Sequence, residues 1–177
     1  MPPVEATPAS YSWKRDLLFW AYSVLMLLPI IMVLVFYNYY TFDLLAYAGW
    51  ILLAFSVVII FMAGGEFQKK GGAPKGKSIV QTTVVVDSGI YAVVRHPQYL
   101  GFMLFVLALV LMSQHWVSVI SWIIGSTLFY RDVLREEQMS IAKFGDDYQR
   151  YMRKVPRMNL LLGVTRLLRK KSEDKSR

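Results

Sequence analysis

Residues 95–132 read RHPQYLGFMLFVLALVLMSQHWVSVISWIIGSTLFYRD. Two apolar runs, Pro97 to Met112 and Trp116 to Tyr130, are parted only by Ser113, Gln114 and His115. Three polar residues suffice for a turn and leave no space for another element, so the pair reads as a tight helical hairpin. Such a hairpin returns the chain to the side from which it started. Arg95 and His96, which enter it, are therefore expected to meet Arg131 to Glu137, which leave it. An arginine, a histidine and two carboxylates thus converge at one membrane face.

The remainder of the chain extends the pattern. Its 177 residues are 55% hydrophobic and 15% aromatic, and a mean hydropathy of +0.39 lies above the usual range for a soluble domain. Leu17 to Tyr37, with Pro29 predicting a kink, and Leu44 to Ala63 each approach the roughly 20 apolar residues that a helix needs to cross a bilayer. The expected fold is an all-α membrane protein forming one domain over residues 1–177. Four transmembrane helices, at about residues 17–37, 44–63, 97–112 and 116–130, make two helical hairpins. Residues 1–12 and 172–177 are expected as disordered tails, and 131–171 as cytoplasmic and interfacial helices. The first run exceeds the apolar core of a signal peptide and no small-residue cleavage site follows it, which argues against its removal.

A net charge of +8 raises nucleic acid as a partner, but its distribution points elsewhere. All 20 Lys and Arg fall at 14–15, at 69–95 or from 131 onward, and the turns at 38–43 and 113–115 hold none. By the positive-inside rule, both termini and the long middle loop are cytoplasmic. Topology accounts for the charge without a polyanion, so no nucleic acid is expected. The absence of cysteine excludes disulfides and thiolate catalysis, and two histidines are too few for most metal centres.

The middle loop contains GGAPKGKS at 71–78, which matches the phosphate-loop pattern letter for letter. That motif needs a strand before it and a helix after it; here an apolar span precedes and the β-branched run IVQTTVVVD follows. A flexible basic loop against anionic lipid is the better reading. Asp87-Ser88-Gly89 then signals a turn. In the tail, RDVLREEQMSIAKF predicts a helix that breaks at Gly145 and restarts with Asp146-Asp147 as an N-cap. NLLLGVTRLLRKK places Leu160, Leu161, Val164, Leu167 and Leu168 on one face, as an interfacial helix requires.

Helical counting separates the two glutamates. Positions 130, 134, 137, 141 and 144 are Tyr, Leu, Glu, Ile and Phe, so Glu137 falls on an apolar stripe, where a carboxylate needs a partner. Glu136 shares its face with Val133, Ser140 and Lys143. Ser118, Ser121 and Gly125 predict a packing face between spans. Tyr91 and Tyr99 flank the Arg-His pair as interface residues or as a wall for a cationic ligand. His115 is assigned a structural or solvent-facing place.

GIYAVVRHPQYLG (89–101) followed across the hairpin by REEQMSIAKFGDDYQRYMRKVPRM (135–158) resembles the isoprenylcysteine carboxyl methyltransferase and phospholipid methyltransferase family. The shared pattern is G-x-Y-x-x-x-R-H-P-x-Y, then E-E, F-G-x-x-Y-x-x-Y and V-P-R; the first two spans match only as apolar helices. The resemblance implies methyl transfer from S-adenosylmethionine, leaving S-adenosylhomocysteine, in a cytoplasmic pocket that a lipophilic acceptor enters from the bilayer. It further implies that Thr83, Val84, Val85 and Val86 supply backbone contacts and that Tyr91, His96, Pro97, Gln98 and Tyr99 line the cofactor. By the same resemblance Glu136 holds a polar group of the cofactor, whereas the helical count favours Glu137 as the inward residue. Both remain candidates.

Two departures bear on the acceptor. Thr83 stands where prenylcysteine methyltransferases commonly have histidine, and Asp132 where they place a substrate-carboxylate arginine. A carboxylate acceptor, with a pKa of about 3.5, needs a cationic anchor and no base. Arg95, Arg131 and Arg135 are the candidates for anchoring or positioning it. An amine must first lose a proton, which makes Glu137 or His96 a candidate base. An isoprenylcysteine-type carboxylate is the leading acceptor, with a phospholipid or another small lipophilic amine or thiol as the alternative. Sterol reductases share R-H-P-x-Y and use NADPH, but they are typically longer and the E-E, F-G-x-x-Y and V-P-R elements favour methyl transfer.

Overall fold

The computed structural model describes residues 13–71 and 83–175. The expected tail at 1–12 and all but the first residue of GGAPKGKS lie outside the described residues. All regular structure among the described residues is helical: α1 (Trp13–Val35), α2 (Asp43–Lys70), a 3₁₀ turn (Gly89–Ala92), α3 (Pro97–Ser113), α4 (Trp116–Phe144), α5 (Asp146–Lys154) and α6 (Leu160–Lys175).

By length and apolarity α2 and α4 can cross a membrane, while Trp20–Val35 of α1 and α3 are shorter apolar helices. Their outward residues are apolar, with Leu44 81%, Ile51 72% and Phe61 75% exposed. Water does not tolerate a contiguous apolar surface of this extent, so these faces belong in lipid. Inward faces are small: Ser56 and Ala63 on α2, and Ser118, Ser121 and Gly125 on α4, are buried. This is the packing face expected on α4, where Gly125 meets Leu25 and Met26 of α1.

The two sequence hairpins do not pack as two separate pairs. α2 lies along α3, α1 lies against α4 and α3, and α1 and α2 scarcely touch each other. The outer turn explains this arrangement. Gln114, at the left-handed C-cap of α3, donates its amide to the Asn38 side chain at 2.6 Å and to the Phe42 carbonyl at 2.8 Å. It also accepts from Phe42 N at 3.2 Å, so the α1–α2 connection is strapped across the α3–α4 turn. His115 caps α4 by accepting from Val117 N at 3.3 Å and stacks on Phe36, a structural place as expected.

Three boundaries differ from expectation. α2 continues to Lys70, beyond the span expected to end at Ala63. α4 runs without a break through 130–131, where a span was expected to give way to a separate cytoplasmic helix. Residues 131–144 have no Gly or Pro and are rich in Leu, Arg, Glu, Gln and Met, which sustain a helix. Residues 172–175, expected as tail, continue α6.

Gly145 ends α4 at φ +55°, a conformation that side chains other than glycine's rarely adopt. α5 restarts immediately, although Gly145 and not Asp146 occupies its N-cap. Asp146 and Asp147 act instead as first-turn carboxylates on the helix dipole. α6 begins at Asn159, whose Oδ1 accepts from Leu162 N at 3.0 Å. It docks through Gly163, where a Cβ would stand 2.1 Å from the Val93 carbonyl oxygen, while Arg166 donates to the Ala92 carbonyl at 2.8 Å. Backbone cannot retreat from a methyl group at that distance. Gly163→Ala is therefore expected to lift α6 from its seat at a cost of about 1–3 kcal/mol, seen as faster hydrogen exchange over residues 160–169 and a lower unfolding midpoint.

Candidate functional site

The N-terminal end of α3 and the C-terminal part of α4 meet at a buried carboxylate. Glu137 is 2% exposed, on the apolar stripe where helical counting puts it, and it has partners. Its Oε1 lies 2.8 Å from Arg95 Nη2 and 3.3 Å from His96 Nε2. Arg157 donates through Nε to both oxygens at 3.0 Å and through Nη2 to Oε2 at 2.7 Å. Two guanidinium groups on one buried carboxylate satisfy its acceptor positions and offset its desolvation.

Backbone pairing brings the motifs together. Arg95 N donates to the Pro156 carbonyl at 3.0 Å and His96 N to the Arg157 carbonyl at 3.1 Å. Arg95 Nη1 reaches the Met152 carbonyl at 2.7 Å, and the Tyr151 hydroxyl donates to the Tyr91 carbonyl at 2.7 Å. The R-H-P segment is thus stitched to V-P-R and to α5, with Glu137 tying both to α4. Arg157 was legible only as part of V-P-R, since no helical repeat links it to Glu137.

Beside this hub lies a cavity of about 750 Å³. Val84, Val85, Val86, Tyr91, Arg95, His96, Pro97, Gln98, Tyr99 and Glu136, all candidates from the sequence, line it. Two proposed residues do not: Glu137 is consumed by the hub, and Thr83 lines a neighbouring cavity. Arg131 and Arg135 are also absent from the lining; both are exposed, and Arg135 pairs with Asp132 at 3.4 Å. Sequence reading missed Phe67, Phe102, Phe129 and Tyr148 in the walls. Of these, Tyr148 stands in the F-G-x-x-Y motif and was available as a signal.

The wall chemistry is mixed. Phe102, Phe129 and Tyr22 form an apolar end, with Phe129 edge-on to Tyr22 and tilted against Tyr99 at centroid distances of 5.5 and 4.8 Å. Glu136, Gln98, Ser140 and Lys143 supply polar groups. The strap 83–87 runs past the cavity without regular structure, and Val84, Val85 and Val86 make no backbone hydrogen bond with another described residue. Their peptide groups are free to meet a ligand. Arg95 contributes to the cavity lining but is nine-tenths buried, and its Nε, itself buried, has no partner among the described residues.

Burial lowers the pKa of His96 below the usual imidazole value; Glu136 and Glu137 pull it upward without cancelling that effect, and Arg95 adds to the lowering. His96 is therefore neutral at neutral pH, and its Nε2–H donates to Glu137. Burial raises the phenols of Tyr91, Tyr148 and Tyr151, that of Tyr148 to about 12, so all three remain protonated. A histidine whose folded pKa is depressed gives stability that is complete above its unfolded pKa of about 6.5 and is lost as pH falls below it. The unfolding midpoint is expected to drop between about pH 7.5 and pH 5.5, and His96→Asn to flatten that slope.

The comparisons with known proteins agree with the motifs at this hub. A sequence model of the isoprenylcysteine carboxyl methyltransferase (ICMT) family matches residues 54–143, from the middle of α2 to the C-terminal end of α4. The chain is 35% identical over 74 residues to the protein-S-isoprenylcysteine O-methyltransferase of Schizosaccharomyces pombe, covering 41% of this chain and 31% of that protein. It is 31% identical over 98 residues to the Homo sapiens protein of the same name, covering 55% of this chain and 33% of that one. The chain thus spans about a third of the length of these curated relatives. No solved structure matches it. The family match takes in the strap, the R-H-P segment and both glutamates, which build much of the cavity and its hub, and so this chain belongs to the isoprenylcysteine carboxyl methyltransferase family.

Proposed function

We propose that the chain is a membrane-embedded methyltransferase that moves a methyl group from S-adenosylmethionine to a lipophilic acceptor. The observation that carries this reading is a single cavity with an apolar, lipid-side end at Phe102 and Phe129 and a polar end at Glu136, the strap and Arg95. The cofactor, when bound, supplies an electrophilic methyl group; the protein has only to align the acceptor with it and keep water out. In this reading Glu136 accepts from the cofactor's hydroxyl or ammonium groups, the peptide groups of Val84 to Val86 hold its adenosine part, and Tyr91, His96, Pro97, Gln98 and Tyr99 enclose it. Four membrane spans, with both termini and the site at the cytoplasmic face, fit the Lys and Arg distribution along the sequence.

An isoprenylcysteine-type carboxylate is the first candidate acceptor, because that group appears in the names of the relatives. A lipophilic amine or thiol is the second reading. Asp132 occupies the position of the expected anchoring arginine, and Arg131 and Arg135 stand outside the cavity, which leaves Arg95 and Lys143 as the cations in its lining. The test is transfer of a labelled methyl group to a membrane extract, followed by base treatment. Base-labile label identifies a methyl ester, stable label an amine or thiol product, and no transfer to any lipophilic fraction overturns the proposal.

A further inference from the structure

Behind the strap lies a second cavity, of about 840 Å³, with a different character. Arg150, Arg153 and Lys154 of α5 and Arg166 of α6 converge on it, against the carboxylates of Asp87 and Asp147 alone. Arg150 pairs with Asp147, and Arg166 is held by the Ala92 carbonyl. Arg153 and Lys154 have no ion-pair partner among the described residues. Four cations directed into one concavity repel each other unless an anion joins them, and guanidinium groups suit the oxygens of a phosphate.

The remaining walls indicate what the phosphate is attached to. Val84, Val85, Phe144, Val155 and Leu167 give the cavity an apolar floor. α6 turns Arg166 and Leu167 toward it, while Leu161 (80%) and Leu168 (62%), a helical repeat apart, are exposed on another side, which suits a helix lying in the headgroup layer. We propose that this cavity takes the phosphate of an anionic glycerophospholipid, with the glycerol and proximal chain on the apolar floor. It shares Val84, Val85, Phe144 and Tyr151 with the first cavity, so the headgroup would sit across the strap from the candidate cofactor site.

The test is calorimetric titration of the full chain, purified in a neutral detergent, with dihexanoyl phosphatidylglycerol below its micelle concentration, with dihexanoyl phosphatidylcholine and with inorganic phosphate. Saturable binding of phosphatidylglycerol alone is expected. The Arg153→Gln/Lys154→Gln pair should weaken it by about ten-fold or more, given about 1 kcal/mol per basic residue at an anionic surface. Arg169→Gln, an exposed charge on α6 outside both cavities, should leave it unchanged. Because Arg153 and Lys154 are exposed, the double variant should keep the wild-type unfolding midpoint; if it does not, Lys154→Gln alone carries the comparison, with a smaller loss expected. No saturable binding of phosphatidylglycerol, or binding equally tight in the charge variants, overturns the site. Inorganic phosphate binding as tightly as the lipid overturns the lipid assignment.

Discussion

Glu137→Ala is expected to destabilise the protein by about 3–5 kcal/mol, the cost of removing one partner from a buried ion-pair network. The variant leaves Arg95, nine-tenths buried, with no carboxylate, and frees Arg157 from its two-oxygen grip. The R-H-P segment loses its ion pairs with α4 in one step, and the V-P-R segment keeps the bond from Arg157 to the Tyr130 hydroxyl. Since total stabilities are about 5–15 kcal/mol, the variant should approach global unfolding in detergent, read as a large fall in the unfolding midpoint. Glu137→Gln keeps the shape and one acceptor oxygen and should fall between wild type and alanine. A Glu137→Ala protein that is as stable as wild type and loses only ligand affinity would mean that Glu137 serves the ligand and not the fold.

Glu136→Ala should behave in the opposite way. Glu136 is partly exposed, lines the cavity and stands in electrostatic contact with Tyr99, so its removal opens no core. A hydrogen bond to a charged group contributes about 1.5–3 kcal/mol, which corresponds to about a ten- to hundred-fold loss of S-adenosylmethionine affinity. The unfolding midpoint should hardly move. Adjacent glutamates thus separate into one that supports the fold and one that serves the ligand, and the pair of variants measures that division.

Much of the site was legible in the residue order. The three-residue SQH turn predicted that Arg95 and His96 would meet the carboxylates of α4, and they do, at 2.8 and 3.3 Å. The helical count predicted that Glu137 points inward and needs a partner. The same count, carried backwards from Glu137 at about 100° per residue, puts Arg131 and Arg135 on roughly the opposite face of α4. Their exclusion from the cavity could therefore have been read from the sequence, and the family resemblance drew attention away from it.

What was illegible has physical reasons. Four apolar helices are interchangeable to hydropathy, so nothing in the sequence said that α3 would sit between α1 and α2. That arrangement depends on Gln114 reaching Asn38 and Phe42 across the outer turn. Arg157 was hidden for a similar reason. Its contact with Glu137 exists because Pro156 and Arg157 pair through their carbonyls with Arg95 and His96, a pairing outside any helical or strand repeat. The second, basic cavity was invisible because its charges come from α5 and α6, two helices that no sequence repeat brings together.

The central claim is that the cavity beside the Glu137 hub is built for S-adenosylmethionine. Calorimetric titration of the detergent-purified chain with S-adenosylmethionine and, in parallel, with NADPH tests it most directly. Saturable one-to-one binding of S-adenosylmethionine, weakened in Glu136→Ala and accompanied by no binding of NADPH, is the predicted result. A folded protein that binds NADPH, or that binds neither ligand, would contradict the account.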